Sequence, residues 1–311
     1  MKAIRIHQYG DRSVLRYEEA PLPEIAADDV LVRIVATSIN PVDWKVRQGY
    51  LASMITYPMP LILGWDFSGV VEKVGTAVTH FKIGDEVFSR PDITRNGTYA
   101  EYIAVRESEI AFKPRFVSHV QAACLPLAGI TAWEALFTTA GVQAGQTVLI
   151  HAASGGVGSL AVQLAHWKGA RVIATTSSTN RELVESLGAD EVIDYKAAPF
   201  QNSVKDVDMV FDTVGGAVQE ASWGVLKPGG IVVSCTEPPS QEKADALGVR
   251  KAFIFIKPNA EILRQMAGLI ETGHLRTIIG AEFALADLAL AHDLSQSGRA
   301  RGKIAIHVGP P

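Results

Sequence analysis

Residues 147–158 read Thr-Val-Leu-Ile-His-Ala-Ala-Ser-Gly-Gly-Val-Gly. The spacing Ala153-x-Gly155-x-x-Gly158 suits a backbone that must curl around a pyrophosphate. Thr147 to Ile150 is an apolar run without helical period, as expected of a parallel strand buried on both faces. From Val157 to Lys168 the apolar residues Val157, Leu160, Ala161, Leu164 and Ala165 fall at helical spacing. Strand, glycine turn and helix together predict a dinucleotide site, with Ser154, Gly155, Gly156 and Val157 forming the backbone under the phosphates. Gly155 lets the chain approach the pyrophosphate, and Gly158 lets helix and strand pack closely. The first glycine of the usual fingerprint is replaced by Ala153, and a pattern of this form also occurs as a plain strand-to-helix turn. The flanking strand and helix carry the reading.

A dinucleotide with a free ribose 2′-hydroxyl calls for Asp or Glu at the end of the second strand. Here Ala174 to Arg181 reads Ala-Thr-Thr-Ser-Ser-Thr-Asn-Arg, with no acid before Glu182. Thr176, Ser177, Ser178 and Arg181 suit a 2′-phosphate held by charge-assisted hydrogen bonds, which predicts NADPH over NADH. The alternative is that Arg181 and Glu182 only begin a helix.

These groups must be positioned by a chain of 311 residues, long enough for two cores. Apolar residues make up 48% and charged residues 20%, as in ordinary globular proteins, and the net charge of −4 argues against nucleic acid as the main partner. Two cysteines far apart, Cys124 and Cys235, suit a reducing, cytoplasmic setting. The N-terminus alternates like a strand rather than a signal peptide, and no stretch is apolar enough to span a bilayer.

Up to about residue 120 the chain reads as short strands with turns: Val30–Val35, Phe67–Gly75, Gly84–Phe88 and Gly97–Ile103. Gln121 to Ala140 then reads as one helix. Strands at 147–151, 171–176, 191–195, 207–212 and 230–234 alternate with helices, implying βαβ units. Ala252–Ile256 reads as a further strand, Asn259 as the cap of a helix to Thr272, 285–296 as a helix and 302–308 as a closing strand. That last strand suits the first domain, so the expected division is 1–122 with 260–311, and 123–259. The cleft between the domains is the expected place for cofactor and substrate.

Several segments carry a resemblance that spans the whole chain. They are Asn40-Pro41-Val42-Asp43-Trp44-Lys45, Gly64-Trp65-Asp66-Phe67-Ser68-Gly69-Val70-Val71, Gly84-Asp85-Glu86-Val87, Gly97-Thr98-Tyr99-Ala100-Glu101-Tyr102, the Ala152–Gly158 loop, Gly188-Ala189-Asp190-Glu191-Val192-Ile193-Asp194-Tyr195 and Arg301-Gly302-Lys303-Ile304. The sequence resembles the zinc-independent quinone oxidoreductase (zeta-crystallin-like) branch of the medium-chain dehydrogenase/reductase superfamily. The resemblance implies an α/β fold, with a GroES-like, partly open β-barrel domain and a Rossmann domain built on a doubly wound parallel sheet. It also places Tyr195 beside the adenosine phosphate, and Thr131, Val214, Cys235 and Lys303 along the nicotinamide and pyrophosphate.

Alcohol dehydrogenases of that superfamily carry catalytic zinc on a cysteine and a histidine, with Gly-His-Glu where this chain has Gly64-Trp65-Asp66. Trp65 cannot bind zinc and the Asn40 loop has no cysteine, so no metal is expected. A zinc-free site can still pass hydride from NADPH to an electrophilic carbon, as in a quinone or an α,β-unsaturated carbonyl, when the protein supplies orientation and hydrogen-bond donors. By family position Asn40 would bond the substrate oxygen or the ribose. Lys45 would stabilise negative charge with Asp43 orienting it, Tyr50 would be a proton donor, and Trp65 and Tyr57 would be apolar walls. The competing structural roles are a turn cap for Asn40, a helix cap for Asp43 and core filling for Trp65.

The expected function is NADPH-dependent, zinc-independent reduction of a small-molecule quinone or enone, without nucleic acid or membrane as partner. Alternatives are an enoyl-thioester reductase and a non-catalytic NADPH-binding protein. An apolar strand at Ala252–Ile256 on a sheet edge, together with the resemblance, predicts a homodimer.

Overall fold

The computed structural model describes residues 1–309. Its strands, in chain order, begin with β1 (Lys2–Ile6), β2 (Arg16–Glu19), β3 (Asp29–Ile39), β4 (Leu61–Ile62), β5 (Phe67–Val74), β6 (Glu86–Ser89), β7 (Tyr102–Arg106) and β8 (Ile110–Phe112). They continue with β9 (Thr147–Ile150), β10 (Arg171–Thr176), β11 (Glu191–Asp194), β12 (Val207–Asp212), β13 (Leu226–Ser234) and β14 (Arg250–Phe253), and close with β15 (Ile279–Ala284) and β16 (Lys303–His307). The chain divides into two compact units. One comprises 1–127, 257–272 and 277–311, and the other 128–256 and 273–276.

The first unit is strand-rich. β1 lies between β2 and β4, and a larger sheet runs β15-β16-β3-β5-β6-β8 with β7 also paired to β3. The closing strand β16 is antiparallel to β3, with Ile304 opposite Ile39 and Ala305 opposite Ser38. Val30, Val32, Ile34, Phe67, Val71, Val87, Ile103 and Val105 make one apolar core of this unit. Ile6, Leu61, Leu63, Trp65, Tyr99 and Leu288 belong to another. The GroES-like barrel is thus built from both ends of the chain. β15, which the sequence reading did not include, pairs in parallel with β16 and alternates half-buried with exposed residues.

The second unit is a six-stranded parallel sheet in the order β11-β10-β9-β12-β13-β14. This is the Rossmann arrangement expected from the βαβ alternation. Val148, Leu149 and Ile150 of the central strand are wholly buried, which is why they carry no polar alternation. β14 lies at the sheet edge. It covers Arg250–Phe253, so residues 254–256 of the expected strand fall outside it.

The segment 121–140 is not one helix. It is divided into His119–Ala123, Pro126–Trp133 and a π-helical stretch Glu134–Thr139. Pro126 disfavours helical geometry at the residue before it and cannot donate its own amide, so a new helix starts there. The expected strand at 97–103 likewise begins only at Tyr102, because 97–99 bond to the 62–64 segment: the Gly97, Thr98 and Tyr99 amides donate to Ile62, Gly64 and Leu63 carbonyls.

Candidate functional site

In the parallel-sheet unit, β9 ends in a turn and the helix Gly156–Trp167. Gly155 occupies the N-cap and has no side chain to cap the first turn. The helix start is therefore left for an external acceptor, and its dipole favours an anion there. A Cβ on Gly158 would lie 2.3 Å from the Ala152 carbonyl oxygen and 2.8 Å from Ala153 Cα, so only glycine permits this helix-to-turn contact. The left-handed residue of the turn is Ala152, at φ 48°. Ala153 does not require such a conformation, which accounts for alanine at the first glycine position of the motif.

A polar cluster covers the ends of β9 and β10. Thr176 Oγ1 donates to Ser154 Oγ at 2.9 Å, and Asn180 Nδ2 donates to Ser154 Oγ at 3.2 Å and Ser177 Oγ at 3.3 Å. Ser178 begins the short turn Ser178–Asn180, and Arg181 begins the helix Arg181–Ser186. The Arg181 guanidinium is 3.4 Å from the Glu185 carboxylate, a long exposed pair that leaves it able to turn to a stronger anion. Asp194 pairs with Thr176 across the β10–β11 ladder. Tyr195 follows it, exposed, with the Lys196 ammonium 6.0 Å from its ring. Asn180 and Lys196 were missing from the sequence-based set. Asn180 stood inside the polar run and was legible as a further donor, whereas the place of Lys196 depends on the strand register.

At the ends of β12 and β13, Asp212 Oδ1 accepts from the Val214 amide at 3.0 Å and the Gly215 amide at 2.8 Å. Its Oδ2 accepts from Gln219 at 2.9 Å and Ser234 at 2.8 Å. Burial raises the carboxyl pKa but these bonds outweigh it, and the net shift is downward. The Cys235 amide donates to the Asp212 backbone carbonyl at 3.2 Å, while the Val214 amide bonds its carboxylate, so both residues are anchored on Asp212. His151 is buried with both ring nitrogens bonded, to Thr175 Oγ1 and Ser222 Oγ. Burial lowers its pKa to about 4, which keeps the imidazole neutral. Thr131 is buried on the helix Pro126–Trp133.

The barrel unit holds the other group of expected residues, and here the geometry corrects several roles. Asn40 is 2% exposed. Its Oδ1 accepts from Lys303 at 2.5 Å and its Nδ2 donates to Asp66 Oδ2 at 2.7 Å, so both ends of the amide are committed inside the protein. Lys303 donates in addition to the Ile39 carbonyl at 2.9 Å and Asp66 Oδ2 at 3.1 Å. Its three protons are spent, and it is not presented to a pyrophosphate. Asp66 further accepts from Ser38 Oγ at 2.7 Å and the Leu127 amide at 2.7 Å.

Asp43 does not orient Lys45. Its Oδ2 accepts from the Asn40 amide at 2.7 Å and the Tyr99 hydroxyl at 2.5 Å, closing the start of the helix Pro41–Arg47. Complete burial pushes its pKa up to about 7, against the opposing bond from Tyr99. Lys45 instead lies 5.8 Å from the Trp44 ring, and Tyr50 meets that ring edge-on at 6.2 Å, itself 65% exposed. Lys45, Trp44 and Tyr50 thus form a cation–aromatic surface. Trp65 is wholly buried, its ring 6.4 Å from that of Tyr57, and its indole N–H has no acceptor among the described residues. No group of three or more His, Cys, Asp or Glu among the described residues is placed to hold a metal ion.

Residues 26–115 match the alcohol dehydrogenase GroES-like domain family, and residues 187–306 match the family described as zinc-binding dehydrogenase. A 2-methylene-furan-3-one reductase of Solanum lycopersicum is 39% identical over 326 residues, covering 100% of this chain and 80% of the relative. The chain belongs to the medium-chain dehydrogenase/reductase superfamily, in its quinone oxidoreductase branch. A chloroplastic NADPH-dependent alkenal/one oxidoreductase of Arabidopsis thaliana is 38% identical, covering 100% of this chain and 80% of that protein. Among solved structures, the quinone oxidoreductase from Coxiella burnetii superimposes with a TM-score of 0.93 at 36% identity, covering 99% of each chain.

Proposed function

We propose that this oxidoreductase uses NADPH, without zinc, to reduce the activated double bond of an α,β-unsaturated carbonyl or a quinone. The observation that carries the cofactor reading is the Gly155–Gly158 helix start beside a hydroxyl and amide cluster, with no Asp or Glu in the run Ala174–Arg181 that ends β10. Ser154, Gly155, Gly156 and Val157 would hold the pyrophosphate, and Thr176, Ser177, Ser178, Asn180, Arg181 and Tyr195 the adenosine with its 2′-phosphate. Bound there, the reduced nicotinamide supplies a hydride. As an enone accepts it, negative charge gathers on the carbonyl oxygen, and the protein lowers the barrier by placing donors at that oxygen. Half-buried Lys45 and exposed Tyr50 are donors able to pass the final proton in from solvent. Zinc independence is supported by Trp65 standing where the zinc enzymes have histidine. The likeness to an alkenal/one reductase and a furanone reductase supports the enone over a simple alcohol.

A homodimer joined along the β14 edge is part of the same reading, supported by exposed Phe253 and Phe255 beside that edge. A reducing, cytoplasmic setting is supported by the low cysteine content, two in 311 residues. The test is a fluorescence titration with NADPH and NADH, with and without Arg181→Ala, followed by steady-state assays on quinones and enones. Arg181→Ala is expected to weaken NADPH by about tenfold and leave NADH unchanged. Equal affinity for both nucleotides in the parent protein would overturn the 2′-phosphate assignment.

A further inference from the structure

Among the described residues of the barrel unit, the buried polar atoms without a partner include three donors that the fold sets close together, on Arg90, Tyr57 and Trp65. Arg90 is 3% exposed and makes no ion pair among the described residues. Among the described residues its Nε has no acceptor, and its Nη1 makes a 3.3 Å contact to the Pro91 carbonyl. Tyr57 is 6% exposed and its hydroxyl is unpartnered among the described residues, as is the indole N–H of wholly buried Trp65. The fold brings them to one place. β5 and β6 are antiparallel with Phe67 opposite Ser89, so the next position along that ladder sets Asp66 against Arg90. Trp65 precedes Asp66, and the Tyr57 ring packs on Trp65.

Burial holds the Arg90 guanidinium below its ordinary pKa, and Asp66, Asp92 and Glu109 offset that cost only in part. Asp92 and Glu109 share a single arginine, Arg106, and the spare negative charge lies close enough to act on Arg90. Asp66 is fully occupied by Lys303, Asn40, Ser38 and the Leu127 amide. What the cluster lacks is an acceptor atom. Donors buried without partners are costly and persist where a ligand satisfies them.

Resting on the reductase reading above, we propose that Arg90 and Tyr57, with the Trp65 indole, form the site that receives the carbonyl oxygen of the substrate. Addition of hydride to the β-carbon breaks the C=C π bond and moves its electron pair onto this oxygen as an enolate, with the dinucleotide oxidised. A proton taken up at the α-carbon from solvent then yields the saturated ketone. A neutral acceptor that becomes anionic in the transition state fits a buried guanidinium whose charge is only partly offset and whose hydrogen bonds are unmet, so the donors act mainly on kcat.

The experiment compares the parent enzyme with Arg90→Met, Arg90→Lys and Tyr57→Phe, using 2-cyclohexenone and a benzoquinone as acceptors. Thermal unfolding and the NADPH dissociation constant are measured alongside. Arg90→Met is expected to lower kcat on the enone by about a hundredfold and Tyr57→Phe by about tenfold, with KM little changed. NADPH affinity stays at the parent value, and Arg90→Lys recovers part of the loss. Arg90→Met should unfold no earlier than the parent, because it removes a buried group with unmet bonds; a purely structural arginine would lose stability and leave kcat alone. If Arg90→Met does not fold, the isosteric Tyr57→Phe decides by the same kcat criterion. Variants that match the parent on both acceptors overturn the proposal while leaving the reductase reading intact. A parent that binds NADPH but reduces neither acceptor overturns both.

Discussion

Replacing Lys303 by methionine preserves the length of the side chain and removes the ammonium that bonds the Ile39 carbonyl, Asn40 Oδ1 and Asp66 Oδ2. Asp66 is then a wholly buried carboxylate held only by neutral donors: Ser38 Oγ, Asn40 Nδ2 and the Leu127 amide. Removing one partner of a buried ion pair costs about 3–5 kcal/mol. The three surviving bonds to Asp66 put this case at the lower end, about 3 kcal/mol. Adding Asp66→Asn neutralises the stranded charge, so the double variant should be about 1–2 kcal/mol more stable than the sum of the single effects. Urea unfolding followed by tryptophan fluorescence and near-ultraviolet circular dichroism measures these differences, with the transition of each unit fitted separately. NADPH affinity should not move, because Lys303 has no proton to offer it. A loss below about 1 kcal/mol in Lys303→Met would refute the account of this pair. So would strict additivity in the double variant. Selective loss of NADPH binding would restore the role that the resemblance first gave Lys303.

Gly158→Ala places a methyl group against the Ala152 carbonyl and should cost about 1–3 kcal/mol while weakening NADPH, read by thermal melts and titration. Asp43 supplies a pH test. Its pKa rises from 3.8 unfolded to about 7 folded, so the folded state binds more protons in that window and its stability declines as pH rises from about 4 to 7. His151 and His292, lowered by burial to about 4 and about 3, act with the opposite sign below their unfolded value of 6.5. The difference between parent and Asp43→Asn isolates the aspartate, and it should shift in favour of the variant across that window. A flat difference would mean the carboxyl is ionised throughout. Charging the exposed edge with Phe253→Glu and Phe255→Glu should convert a dimer to a monomer by light scattering; a parent that is already monomeric rules out the edge-paired assembly.

The glycine turn and the polar run after β10 were legible because their residues are adjacent in sequence, and strand, turn and helix are written in local periodicity. The alternation of strand and helix likewise announced the parallel sheet. The buried network was not legible. Asp66 and Lys303 are separated by 237 residues, and they meet because β16 returns to pair with β3. That closure turns Asn40 and Lys303 from expected ligand contacts, and Asp43 from an expected partner of Lys45, into internal partners of one another, of Asp66 and of Tyr99. Trp65 was recognised as a residue that cannot bind metal, but its unmet N–H becomes visible only once Tyr57 and Arg90 are set beside it. β15 escaped notice because it draws its order from β16 rather than from an apolar pattern of its own, and the break at Pro126 was masked by the apolar residues on both sides.

The return of β16 to β3 also sets a timetable for biosynthesis. The parallel sheet is drawn from residues 147–253, so all six of its strands are synthesised before β15 and β16. The barrel cannot close its β3–β16 seam or neutralise Asp66 until Lys303 has emerged. The segment made first is therefore completed last, and a nascent chain stalled before β16 would carry a sheet with all its strands beside an open, charge-exposing barrel.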